Sequence, residues 1–181
     1  MKKSLMIIPL VILLCFTFSC QKQEEEGITE EEAKALFDSV QKIWNNGNLN
    51  LVDDVYAQDI VVRTSSFPED IVGLEGYKNW VRGARTAFPD YHITFDEIIV
   101  KGDRIVVRFT STGTHTGPLS MPFGDLPPTG KKFRTTGLGI ERVQNGKITE
   151  ILAVFNVLEM LQPLGFTLTP PQPPEPPEEK K

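Results

Sequence analysis

GDRIVVRFTSTGTHTGPLSMPFGDLPPTGK, running from Gly102 to Lys131, reads as a turn, a long strand, a small polar cluster, a loop and a second turn. Ile105, Val107 and Phe109 alternate, as on a strand with one buried face. Counting on by two places Ser111, Gly113 and His115 on that face, with Thr114 and Thr116 turned the other way. The cluster Gly113-Thr114-His115-Thr116-Gly117 sets one of the two histidines among hydroxyls where the strand ends. An ionisable group at a strand end beside a loop is a common setting for a pocket.

Upstream the chain is helical. Thr29-Glu30-Glu31-Glu32 has the form of a capping box. Ala33, Leu36, Phe37, Val40, Ile43 and Trp44 then follow at helical spacing, and Asn46-Gly47 supplies the stop. Asn48 to Tyr56 predicts a short second helix, and Asp59 to Arg63 a short strand. A third helix spans Leu74 to Phe88, with Tyr77, Trp80, Val81, Ala84 and Phe88 on one face and Pro89-Asp90 after it. Tyr91 to Val100 is the first long strand, ending in the Lys101-Gly102-Asp103 turn. Downstream, Lys132 to Val143 and Lys147 to Asn156 are strands joined by Asn145-Gly146, a strong hairpin signal. Val157 to Leu164 closes the domain as a helical turn before Gly165. Helices first, then a meander of four long antiparallel strands, make the class α+β. A curved sheet around the first long helix would form a cone with an open mouth.

The ends read differently. Lys2 and Lys3 precede an apolar run from Leu5 to Phe18, then Ser19-Cys20 and the polar Gln21 to Glu26. This is the pattern of a secretory signal, too short for a comfortable membrane span of about 20 apolar residues. Phe16-Thr17-Phe18-Ser19-Cys20 resembles a bacterial lipobox, which implies cleavage before Cys20 and lipid on its thiol. Residues 1–19 are thus expected to be a signal peptide, 20–28 an acidic linker, 29–169 the folded domain and 170–181 a disordered proline-rich tail. With Cys15 in the signal and Cys20 acylated, the domain keeps no thiol for a disulfide, a metal or a nucleophile. Setting aside Lys2 and Lys3 leaves 17 basic against 24 acidic residues. With no basic stripe, nucleic acid is not an expected partner. Two separated histidines make no metal ligand set, and no phosphate loop precedes a helix, so no cofactor is expected.

The order of several short motifs resembles the SnoaL-like polyketide cyclase and ester cyclase family of the nuclear-transport-factor-2-like superfamily. They are Trp44-Asn45 with Gly47-Asn48-Leu49, Gly73-Leu74-Glu75-Gly76, Phe88-Pro89-Asp90 and Lys101-Gly102-Asp103-Arg104. Then come Gly113 to Gly117, Pro128-Thr129-Gly130-Lys131, Asn145 to Glu150, and Leu161 to Gly165. The resemblance covers Thr29 to Gly165. It implies a cone-shaped domain, commonly dimeric through its sheet, with an apolar cavity for a hydrophobic small molecule. It also implies ring closure by an intramolecular aldol reaction without cofactor or metal. An Asp near the end of the last long strand serves as acid/base in that family.

The matching position here is Asn156, which cannot exchange a proton near neutral pH. Either another group does the work or the domain binds without catalysis. His115, with an ordinary pKa near 6.5, is one substitute; the other reading is a histidine that holds the following loop. Glu150 shares the parity of Asn156 and is either a partly buried carboxylate or a partner of Arg134 or Arg142. Arg63 stands where ester cyclases often carry His, and is either an inward anchor or a surface arginine. Trp44, Thr114, Met121 and Phe123 complete the expected pocket, with Met121-Pro122-Phe123-Gly124 as a lid, an edge cover or a dimer contact. Two functions follow, with a structural interaction protein working through the sheet face and the proline-rich tail as a third. One is a cyclase- or isomerase-like enzyme acting on a hydrophobic carbonyl compound. The other is a lipid-anchored binding or sensing module of the cell envelope.

Overall fold

The computed structural model describes residues 27–122, 124–167 and 169. The signal segment, Cys20, Phe123 and the proline-rich tail lie outside the described residues. The elements are α1 (Glu30–Asn46), a 3₁₀ turn (Leu49–Leu51), α2 (Val52–Val55), β1 (Tyr56–Thr64), β2 (Ile71–Val72) and α3 (Gly73–Ala87). They continue with β3 (His92–Lys101), β4 (Arg104–Thr114), β5 (Leu119–Met121), β6 (Gly124–Leu126), β7 (Lys132–Gln144), β8 (Lys147–Phe155) and α4 (Val157–Leu164).

Local chemistry fixes the ends of α1. Thr29 Oγ1 accepts from the Glu32 N–H, and the Glu32 carboxylate accepts from the Thr29 N–H at 2.9 Å, which closes the capping box. At the other end Gly47 takes the left-handed conformation, at φ 67°. Arg85 of α3 donates to the Trp44 and Asn45 carbonyls, both at 2.8 Å, and so supplies a cation where the helix dipole is negative. Asn45 bonds both backbone groups of Ile93, which ties α1 to β3.

The six-stranded sheet runs β2-β1-β8-β7-β4-β3. All pairs are antiparallel except β1 and β8, which are parallel. The helices cover its concave face. Phe37, Ile43, Tyr56, Ile60, Tyr77, Val81, Ile105 and Ile148 form the dry centre, each about 1.5–3 kcal/mol of apolar burial per large side chain. A second cluster packs α4 and Phe88 over Phe133.

Bulges change the parity of two strands. In β3 the register shifts between Phe95 and Glu97, so that Ile98 rather than Glu97 follows Phe95 on the inner side. In β8, Val143 faces Ile148 but Arg142 faces Glu150, which leaves Thr149 as the extra residue. Beyond it Ile151 and Ala153 point inward, whereas Glu150, Leu152 and Val154 turn to the outer face. The short strand expected over Asp59–Arg63 is longer, and the loop after His115 contains a separate hairpin of β5 and β6.

Candidate active site

Between the helices and the concave face lies a cavity of about 430 Å³. Trp44 and Val40 of α1, Tyr77 and Trp80 of α3, Phe109 and Ser111 of β4, and Met121 of β5 contribute to its wall. β7 supplies more of it. Its inner face reads Phe133, Thr135, Gly137, Gly139, Glu141, Val143. A side chain on Gly137 would strike the Phe109 ring at 2.3 Å, and one on Gly139 would meet Val107 at 3.0 Å. The two missing side chains let Phe109 and Val107 pack directly on the β7 backbone.

Glu141 is the one charged residue among the described residues that line the cavity. It is 6% exposed, sits opposite Ile105 on β4 and Ile151 on β8, and has no hydrogen-bond or ion-pair partner among the described residues. Burial among aliphatic neighbours penalises the charged form and pushes its pKa up to about 8. A carboxylate so placed can take a proton from a weak carbon acid and return it near neutral pH. Sequence reasoning passed over it. The signal was the two-residue period from Phe133 to Val143, on which Glu141 falls on the buried face.

Beside it three polar side chains are joined. Trp44 Nε1 donates to Tyr77 Oη at 3.0 Å, and Tyr77 Oη is hydrogen-bonded to Tyr56 Oη. Both phenols are buried, and their pKa values rise, chiefly through desolvation and in part through the nearby Glu141 charge. Across the cavity Tyr91 Oη and Ser111 Oγ bond at 2.8 Å. Among the described residues no group of three acidic, histidine or cysteine side chains is arranged to hold a metal ion.

Of the sequence candidates, Trp44 and Met121 line the cavity. Phe123 lies outside the described residues. His115 is fully buried but is not part of the cavity wall. Its backbone N–H donates to the Lys131 carbonyl and its carbonyl accepts from the Gly130 N–H, both at 2.8 Å. Its ring packs on Phe88, with Nδ1 3.3 Å from Thr129 Oγ1. Burial lowers its pKa, partly offset by the Gly117 backbone. The flanking glycines explain the motif. The Thr116 and Gly117 N–H groups both donate to the Ala87 carbonyl at the end of α3, and a Gly117 side chain would lie 2.0 Å from the Thr86 carbonyl oxygen. The cluster is a clasp between β4 and α3.

The other candidates also stand off the cavity. Thr114 bonds Asp90 through its N–H and hydroxyl, both at 2.6 Å. Arg63 pairs with Asp70 at 3.1 Å on the surface. Glu150, turned outward by the β8 bulge, faces Arg142 at 3.6 Å. Asn156 caps α4, its Oδ1 accepting from the Glu159 N–H at 3.1 Å. A capping side chain turned to its own helix is not available to a ligand in the cavity.

No curated protein sequence matches this chain. Among solved structures, TsrD from Streptomyces laurentii superposes with a TM-score of 0.68 at 22% identity, covering 76% of this chain and 98% of that one. IdmH from Streptomyces antibioticus gives 0.62 at 26% identity, covering 74% and 98%. AclR from Streptomyces galilaeus gives 0.65 at 26%, covering 80% and 91%. The family model of the SnoaL-like polyketide cyclases matches residues 34–164, from within α1 to the end of α4. With the cone, the cavity and that match over most of its length, the chain belongs to the SnoaL-like polyketide cyclase family.

Proposed function

We propose that the protein cyclises or isomerises a neutral, hydrophobic carbonyl compound by proton transfer at the carbon next to the carbonyl. Glu141 acts as base and then as acid. One observation carries this reading: an unpartnered carboxylate, buried in an apolar cavity and poised near neutral pH. Because Glu141 is the only charge among the described lining residues, with no lysine or arginine beside it, an anionic substrate finds no partner there. The alternative of a binding module without chemistry drew on Asn156 standing in place of Asp. It drew also on the lipobox and on the missing substrate class; Glu141 favours chemistry over it, because it gives the cavity a titratable group that Asn156 does not.

The same reading makes the chain a lipid-anchored protein of the bacterial cell envelope, held through Cys20. It is supported by the order of Lys2, Lys3, the apolar run and Ser19-Cys20. A homodimer through the outer sheet face is supported by the exposed Ile99, Leu138, Ile140, Leu152 and Val154.

The test uses β-tetralone, a compact apolar ketone with acidic α-hydrogens, in deuterium oxide. Proton magnetic resonance follows loss of the α-hydrogen signal. The wild-type chain accelerates exchange and Glu141→Gln does not. Equal rates for the two proteins would overturn the assignment of Glu141.

A further inference from the structure

The indole and the two phenols beside Glu141 hold more protons than they can place. Trp44 Nε1 has only a proton to give, and it goes to Tyr77 Oη. Tyr77 Oη and Tyr56 Oη share one further hydrogen bond, in which either oxygen can be the donor. With Tyr77 as donor, the direction that its bond from Trp44 favours by polarising it, the Tyr56 proton is the one left without an acceptor among the described residues. Three protons share two hydrogen bonds. Burial raises the Tyr56 pKa well above its ordinary value, so this proton stays on the oxygen at neutral pH.

Glu141 has the opposite surplus. Its Oε2 is fully buried and accepts from nothing. Both groups line the same cavity, and the carboxylate is close enough for its charge to act on both phenols, yet no hydrogen bond joins it to either. A spare donor and a spare acceptor therefore stand apart in one mostly apolar cavity. Buried polar groups without partners are costly, so each calls for a partner that the protein does not supply. One ligand group answers both: an oxygen acceptor attached to a carbon whose neighbour bears an acidic hydrogen.

Resting on Glu141 as the base, the geometry points to Tyr56 as a catalytic residue that donates a hydrogen bond to the substrate carbonyl oxygen, with Tyr77 and Trp44 as positioning residues that aim it. The α-C–H bond breaks and its proton moves to the Glu141 carboxylate. The electron pair forms a carbon–carbon double bond, and the carbonyl oxygen becomes an enolate held by the Tyr56 hydroxyl. Return of the proton to another atom, or attack of the enolate carbon on a second carbonyl, completes isomerisation or ring closure. A donor fixed in a water-poor site acts most strongly on the oxygen that gains charge. Tyr77, already accepting from Trp44, is polarised and strengthens the donor next in line.

The experiment follows β-tetralone exchange in the wild-type chain and in Tyr56→Phe, Tyr77→Phe and Glu141→Gln. Thermal melts establish that each variant is folded. Tyr56→Phe is expected to lower kcat by about 10²-fold with little change in KM, since the bond strengthens only as charge develops. Tyr77→Phe leaves the terminal hydroxyl but removes its polarising neighbour, and is expected to lose roughly 10-fold. A wild-type rate in Tyr56→Phe, with Glu141→Gln inactive, would overturn the inference and leave Glu141 as the base. A wild-type rate in Glu141→Gln would instead overturn the proposed function. Should Tyr56→Phe not fold, a wild-type rate in Tyr77→Phe overturns the inference, and a reduced kcat at unchanged KM supports it.

Discussion

Ile105 stands directly across the β4–β7 ladder from Glu141, on the same inward face, and is completely buried. The carboxyl thus has an aliphatic wall where a cation would normally be. That pairing has a consequence for stability. In the unfolded chain the group titrates at its ordinary value, and in the fold at about 8. Below the lower value both states hold the proton and there is no penalty. Between the two, the unfolded state releases its proton and the folded state keeps it, so stability falls as pH rises. Above about 8 the penalty is constant. Glu141→Gln is expected to remove this slope and to raise the melting temperature at alkaline pH relative to wild type. Thermal melts across this range check it. An unchanged slope would show that another group carries it.

His115 acts with the opposite sign. Its folded pKa is lowered by burial, so below its ordinary value of about 6.5 the unfolded chain takes up a proton that the folded chain resists. Stability contributed by the neutral ring is lost as pH falls. His115→Ala also removes the ring between Phe88 and Thr129, at a cost on the order of 3 kcal/mol. The expected result is a lower melting temperature at neutral pH and a shallower acid limb. Urea titrations at neutral and mildly acid pH separate the two effects.

Much of the fold was legible because its signals are local. The Thr29–Glu32 box, the apolar spacing of α1 and the Asn145-Gly146 turn each act within a few residues, and each forms as its chemistry dictates. Counting by two along β4 placed His115 inside correctly, because that strand pairs with β7 without a register shift. The same count failed on β8. Thr149 is an extra residue whose bulge is set by pairing with β7, and no local preference marks it. The inward reading of Glu150 therefore failed, while the other reading, a partner of Arg142, held. Glu141 was readable but overlooked. Its parity is plain, yet a lone acidic residue in a strand belongs to no motif, and its isolation emerges only when Gly137, Gly139, Ile105 and Ile151 surround it.

Gly117 bears on the clasp rather than on the cavity. Its absent side chain lets two N–H groups reach the Ala87 carbonyl. In Gly117→Ala the new carbon meets the Thr86 carbonyl oxygen, a backbone atom that cannot move aside without unwinding the end of α3. The expected loss exceeds the roughly 1 kcal/mol typical of a point substitution. Hydrogen exchange measured by amide magnetic resonance should show the Thr116 and Gly117 amides unprotected. Retained protection there would show that the helix end accommodates the methyl group.

Asn156 separates the two meanings of a family position. As a cap its Oδ1 satisfies one of the free N–H groups that open α4, and α4 in turn docks on β7 through Glu159 and Thr135. Asn156→Ala is expected to cost about 1 kcal/mol, while Asn156→Asp, which caps equally well, should cost little. A carboxylate at this position turns to the α4 N-terminus, where the helix dipole favours its charge, and so has no reason to reach the cavity. Asn156→Asp is therefore expected to leave β-tetralone exchange at the wild-type rate. A marked gain in that variant would show that the side chain reaches the substrate after all, and would move the acid/base assignment from Glu141 to the end of β8.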